Sequence, residues 1–242
     1  MPKFKNIKGK KEKLDQAKNN QFVKLAREIY VQAKRGGPSP EANFGLKTAI
    51  ANARAINMPV DNIERAIKRA SGDNDGAEYE EIIYEGYGPG GVAIMVKCLT
   101  DNRNRTAADV RSVFNKRGGN MGESGCVSYM FNERGLFIID REQFDELDED
   151  TVMMQALEAG AEDIAAYEDS FEITSSIQDF EQVKTQLESQ GYEFASSEIR
   201  WLPTLMSAVD DETADKLTKM MDAFDDNDDV QAVYHNWDES GE

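Results

Sequence analysis

Histidine is nearly absent from this chain of 242 residues: His235 stands alone near the C-terminal end, with no second histidine or cysteine beside it. Cysteine occurs only twice, at Cys98 and Cys126, without metal-ligand spacing. These absences exclude a zinc or thiol redox site built on recognisable spacing, and two unpaired thiols fit a reducing compartment. No HExxH helix, Walker A lysine or strand-borne dinucleotide fingerprint occurs either. Long apolar runs are missing: stretches such as Val92–Val96 and Gly135–Ile139 are far too short to span a bilayer. The opening MPKFKNIKGKK is basic with no apolar block behind it, so no secretory signal peptide is expected. The expected location is the cytoplasm, with no membrane partner.

What the chain has in excess is charge, unevenly placed. The formal net charge is −18. Residues 1–72 hold sixteen Lys or Arg against six Asp or Glu, a net of +10, and the remainder carries −28. A split this sharp exceeds what solubility requires. It reads as a basic domain with a polyanionic partner, joined to acidic domains that keep away from that partner.

The basic segment predicts three helices. Lys11–Arg35 carries Leu14, Phe22, Leu25, Ile29 and Ala33 at helical spacing, interrupted by Lys18, and Gly36-Gly37-Pro38 ends it. Ala42–Ile56 turns Leu46, Ile50 and Ala53 inward. A third helix is expected to be capped by Asp61, with Glu64 completing a capping box, and to turn Ile63, Ile67 and Ala70 inward. No tight turn of the helix-turn-helix kind is read between the second and third helices. Lys3, Lys5, Lys8, Lys10, Lys11 and Lys13 crowd the arm. Lys24, Arg27, Lys34 and Arg35 lie on the first helix, and Arg65, Lys68 and Arg69 on the third. Cations spread over a surface in this way suit phosphate recognition, and an arm flexible when free can order on a backbone or in a groove.

Ser71–Ala77 reads as a linker. Beyond it, strands are expected at Tyr79–Tyr87 and Gly91–Leu99, a helix at Asn104–Arg117 and the start of a strand at Val127–Phe131. Gly135–Asp140, Asp148–Ala159, Ile164–Tyr167, Ser170–Thr174, Ile177–Gln190 and Tyr192–Arg200 follow in the order βαββαβ, the split ferredoxin-like unit. The leftover helix Asp211–Phe224 and strand Val230–His235 need a partner, which the earlier strands supply. The expected fold is therefore α+β and multidomain. A small helical domain covers 1–77. A discontinuous α/β domain covers 78–133 and 201–242, and it carries an inserted ferredoxin-like domain at 134–200.

Few residues suggest further chemistry. Gly86–Gly91, GYGPGG, lies between two strands and reads as a turn before it reads as a phosphate cradle. Asp210, Asp211, Asp225, Asp226, Asp228 and Asp229 read as a solvated acidic helix and loop before they read as a magnesium site. Asn102, Arg103, Asn104 and Arg105 gather at a strand-to-helix turn, and Lys116 and Arg117 at the other end of that helix. Two readings stay open for them: a second backbone contact, or Asn104 or Thr106 capping the helix while Arg103 or Arg105 pairs with nearby carboxylates. No catalytic residue, metal or cofactor is expected, and the chain is not read as an enzyme.

Long segments carry a resemblance: KNIKGKK (Lys5–Lys11), FVKLAREI (Phe22–Ile29), AKRGGPSPEAN (Ala33–Asn43), NMPVDNIERAIKRASG (Asn57–Gly72), YEEIIYEGYGPGGVAIMV (Tyr79–Val96) and LTDNRNRTAADVRSVFNKRGGNMGESGCVSYMF (Leu99–Phe131). On these the chain resembles the YebC/PmpR family of transcriptional regulators, whose relatives include a mitochondrial translational activator. The resemblance implies three domains, sequence-specific DNA binding and transcriptional control. Some relatives look instead like ribosome-associated factors that help translation of proline-rich stretches. Carried onto this chain, the binding candidates are Lys5, Lys8, Lys10, Lys11, Lys24, Arg27, Arg65, Lys68 and Arg69. Many relatives open on a Ser-Lys-Trp type motif where this chain has Phe4, which keeps an aromatic ring and loses the indole donor.

The expected partner is DNA, structured RNA such as that of the ribosome, or both. An acidic interaction scaffold is the remaining class. A monomer is favoured, although the sequence does not set the oligomeric state.

Overall fold

The computed structural model describes residues 3–72, 78–144 and 148–239; the side chains of 3–18 and of Gln143 lie outside that description. The chain divides into two compact units, one formed by Met1–Val127 with Ser207–Glu242 and the other by Ser128–Met206. Residues 73–77 of the linker reading lie outside the described residues.

The first unit begins with three helices: α1 (Lys3–Gly36), α2 (Phe44–Ala55) and α3 (Val60–Ser71). The backbone of α1 is helical from Lys3, eight residues before the expected start; Gly9 is the weakest helix former on the way, and no proline interrupts. Gly37, at φ 91°, ends the helix in a left-handed turn. Asn43 then clamps the corner. Its amide donates to the carbonyls of Gln32 and Gly37 at 2.7 and 2.8 Å, and its oxygen caps α2 by accepting from Leu46 N at 3.0 Å. The capping box expected on α3 does not form. Pro59 takes the N-cap position without a side-chain bond, because Asn62 N and Ile63 N both donate to its carbonyl. Asp61 lies instead in the first turn, where a negative charge suits the helix dipole. Ile29, Ala33, Leu46, Ile50, Ala53, Ile63 and Ala70 share one core, and Leu99 from the neighbouring sheet enters it.

That sheet holds β1 (Glu80–Tyr87), β2 (Ala93–Thr100), β3 (Asn120–Met121) and β8 (Val230–His235) in the order β3-β1-β2-β8, antiparallel throughout. The helices α4 (Arg103–Lys116) and α7 (Asp211–Asp225) cover it, with Val110, Phe114, Leu217, Met220 and Phe224 packed on Val92, Ile94, Val96, Cys98 and Val230. β2 is buried on both faces, which explains why its alternation reads apolar on each side. Leu99 faces the helical core while Cys98 faces α4 and α7.

Val127–Phe131 is not the start of a strand. The buried Glu85 carboxylate accepts from Gly125 N and Val127 N, both at 2.8 Å, so these donors serve a side chain rather than a ladder. A short 3-10 turn covers Ser128–Met130, and β4 runs from Phe131 to Asp140.

In the second unit β4 is followed by α5 (Glu149–Ala159), β5 (Asp163–Ala166), β6 (Ser170–Ser175), α6 (Phe180–Ser189) and β7 (Ser196–Pro203). The strands lie in the order β5-β6-β4-β7, all antiparallel. The final strand starts later than expected because Tyr192 N closes the end of α6 on Leu187 O at 3.1 Å, and Phe194 packs into the core before pairing begins. The architecture is thus α+β, with N-terminal helices and two antiparallel sheets.

Candidate nucleic-acid interface

The described cations divide into two classes according to whether a carboxylate already holds them. Arg65, Lys68 and Arg69 are exposed along α3, opposite the buried Ile63, Ala66 and Ala70. Arg65 and Lys68 have no ion-pair partner among the described residues, and the Arg69 guanidinium lies 5.8 Å from the centre of the Tyr30 ring. Such a stacked guanidinium is oriented while its outer donors remain available. Lys34 and Arg35 are exposed in the last turn of α1, without ion pairs among the described residues. Lys47 and Arg54, which no sequence pattern singled out, are exposed on α2.

The loop into α3 differs from the sequence expectation. Only Ile56–Pro59 separates α2 from α3. Asn57 turns the chain at φ 60°, and Met58 N donates to Ala53 O at 2.9 Å. A four-residue turn between helices is of the length used in helix-turn-helix units.

Arg27 and Lys24 belong to the other class. Arg27 Nη1 donates to Leu99 O at 2.7 Å, to Asp228 O at 2.8 Å and to Asp229 Oδ1 at 2.8 Å. Its guanidinium also stacks 5.0 Å from the Tyr79 ring centre. Lys24 Nζ lies 3.5 Å from Asp225 Oδ1. These two cations tie α1 to the sheet unit and are already matched.

The Asn102–Arg105 turn serves the same junction. Asn102, rather than Asn104 or Thr106, caps α4 by accepting from Arg105 N at 3.1 Å. Arg105 Nη2 donates to Asp229 Oδ2 at 2.9 Å and to Asp101 Oδ1 at 3.0 Å. Thr106 Oγ1 donates to Asp229 Oδ2 at 2.7 Å, and Thr100 Oγ1 lies 3.3 Å from the same oxygen. Asp229 is therefore not part of a solvated acidic loop; it is 5% exposed, with two arginines and two threonines around it. Burial works to raise its pKa, but the bonds from Thr106, Arg105 and Arg27 outweigh it and hold the carboxyl below the usual range. Of the other acidic candidates, Asp210 caps α7 on Thr213 N at 2.8 Å, Asp225 faces Lys24, and Asp211, Asp226 and Asp228 are exposed. Arg103 and Asn104 are exposed.

Lys116 and Arg117, at the C-terminal end of α4, are exposed and without ion pairs among the described residues. Lys3, Lys5, Lys8, Lys10, Lys11 and Lys13 fall on the α1 backbone, but their side chains lie outside the described residues. The signal that the sequence reading missed is Asp229: its aspartate-rich surroundings masked the one buried carboxylate of that cluster.

Residues 2–73 match the TACO1/YebC protein N-terminal domain, and residues 79–237 match the TACO1/YebC second and third domain. The chain is 54% identical over 238 residues to a "Probable transcriptional regulatory protein" of Geobacillus thermodenitrificans, covering 98% of this chain and 96% of that protein. It is also 54% identical to a protein of the same description from Clostridium novyi, covering 97% and 94%. Among solved structures, a conserved hypothetical protein from Aquifex aeolicus is similar with a TM-score of 0.82 at 45% identity, over 91% of this chain and 90% of that one.

Proposed function

The chain belongs to the TACO1/YebC family, and on that premise we propose that it is a nucleic-acid-binding regulator of gene expression that acts on DNA in transcriptional control. The observation that carries this reading is the outer face of α3. Arg65, Lys68 and Arg69 stand exposed on a helix joined to α2 by a four-residue turn, within a segment of net charge +10. That face meets phosphates with Lys68 and offers two guanidinium forks, the geometry suited to paired acceptors on a phosphate or a guanine edge. Lys34, Arg35 and the arm lysines Lys3, Lys5, Lys8, Lys10, Lys11 and Lys13 extend the electrostatic surface, and the −28 remainder repels the same polyanion and so limits how the chain can lie on it. The descriptions of the Geobacillus and Clostridium relatives support the transcriptional outcome.

The division of labour follows the three-part reading of the chain. Residues 1–77 bind, and 78–133 with 201–242 form the platform on which α1 is fixed through Arg27. Residues 134–200 form a ferredoxin-like insert, supported by the element order βαββαβ and the strand order β5-β6-β4-β7. On this reading the protein acts in the cytoplasm, and a monomer is favoured.

The test is crosslinking in living cells, with sequencing of both the DNA and the RNA that copurify. Enrichment at discrete promoter sites is the expected result. Enrichment on ribosomal or transfer RNA with no promoter signal would replace the transcriptional reading by a translational one, and enrichment of neither would leave the chain an acidic scaffold.

A further inference from the structure

Beyond the helical segment, a groove of about 500 Å³ opens between the turn after β1, the end of α4 and the outer side of α7. It is lined by Pro89, Gly90, Lys116, Arg117, Gly118, Thr213, Lys216 and Lys219. Among the described residues four cations line it and no carboxylate does. This stands against the composition of its surroundings: residues 207–242 hold twelve Asp or Glu and only two Lys, and both lysines line this groove. A second groove of the same unit, of about 690 Å³, shows the ordinary pattern: Asp101, Asp109, Asp226, Asp228 and Asp229 line it together with Arg27 and Arg105.

The groove is built by backbone as well as by charge. Gly90 and Gly118 hold φ of 73° and 84°, a region that side chains rarely enter. A Cβ on Gly119 would come within 2.5 Å of Tyr87 O, so the loop after α4 can lie against the β1 turn only as glycine. Lys116 and Arg117 suit the C-terminal end of α4 through its dipole, which would account for those two alone. That account does not reach Lys216 and Lys219, which lie in the middle of α7 one turn apart, on the same side of the helix as Thr213. Lys216 already donates to Glu212 at 2.7 Å, whereas Lys116, Arg117 and Lys219 have no ion pair among the described residues. Like charges held together repel, and an anion in the groove removes that repulsion.

We propose that Lys116, Arg117, Lys216 and Lys219, around the Gly90 and Gly118 turns, form a second phosphate-binding groove that takes the phosphodiester backbone of the nucleic acid bound by α3. The proposal rests on the nucleic-acid reading above. The β1 turn thereby serves as the lip of an anion site and not only as a hairpin connection.

The test uses the full chain and fluorescence anisotropy on a labelled DNA duplex and a labelled RNA hairpin, across a salt series. The variant is Lys116→Ala/Arg117→Ala/Lys219→Ala, with its melting temperature measured alongside. On the preferred polymer, the expected result is a fall of about 3 in the magnitude of the salt slope and at least a tenfold loss of affinity at low salt, with melting unchanged. Inorganic triphosphate, added as a competitor, should displace the polymer only at far higher concentration. Wild-type slope and affinity in the variant overturn the groove while leaving the α3 reading intact. Triphosphate binding lost in the variant, with polymer binding unchanged, overturns the assignment to a nucleic-acid backbone. Absence of binding by the wild-type chain to either polymer defeats the nucleic-acid reading itself.

Discussion

Arg27 reaches Asp229 across 202 positions of sequence, with Nη1 2.8 Å from Oδ1. The same nitrogen holds Leu99 O and Asp228 O, and Arg105 approaches the carboxylate from the N-terminal end of α4. One buried aspartate thus joins the long first helix to the central strand, to the helix that follows it and to the last strand. The platform for α3 depends on this junction, since Ile29 of α1 shares a core with Ile63 of α3.

Asp229→Asn should destabilise the chain by about 3 kcal/mol, because it leaves the largely buried Arg27 without its counter-charge and leaves Arg105 with Asp101 alone. Urea melts of Asp229→Asn, Arg27→Ala and the double variant should give a smaller sum than the two single losses predict. Independent, additive losses would show that the pair is not a unit.

The same junction sets a pH response. The folded pKa of Asp229 is depressed, so its contribution to stability is fully present above the unfolded value of about 3.9 and is lost as pH falls through the folded value. Thermal melts of the wild-type chain should therefore lose stability over that acid range more steeply than those of Asp229→Asn. Parallel curves for the two proteins would count against the assignment.

Gly86→Ala should cost roughly 1–3 kcal/mol by overpacking. Its Cβ would lie 2.5 Å from Asn120 O and 2.9 Å from Phe114 Cε1. Gly72→Ala, whose nearest neighbours would be 3.8 Å away, should change the melting temperature little and serves as the control.

Burial pushes the Cys98 thiol up to about 12, with Asp229 adding to the shift. Iodoacetamide at pH 8 should label the half-buried Cys126 first and reach Cys98 only when urea unfolds the chain. Early labelling of Cys98 would mean that β2 opens locally.

Helical periodicity made the helices legible, since Leu46, Ile50, Ala53, Ile63 and Ala70 are buried where their spacing places them. The strand Val230–His235 has its expected bounds. The misreadings have two kinds of cause: a long-range partner that took over a local signal, and a neighbouring residue that took a cap position first. Glu85 captured the amides of Gly125 and Val127, so a β-prone run became a turn. Pro59 opened α3 before Asp61 could cap it. For the site, sequence could find cations but not which of them a distant carboxylate had already claimed. Arg27 and Arg65 look alike on paper; only folding brings Asp229 to the first and leaves the second exposed. Lys216 and Lys219 were not singled out in the sequence, because their approach to Lys116 and Arg117 depends on α7 packing beside α4.

The most direct test of the central claim is the salt dependence of binding by full-length wild-type protein and Arg65→Ala/Lys68→Ala/Arg69→Ala on the DNA recovered from cells. The account predicts a folded variant whose affinity at low salt falls at least tenfold and whose slope is shallower by about 3. A variant that binds with wild-type affinity and slope would contradict it and would remove α3 from the interface.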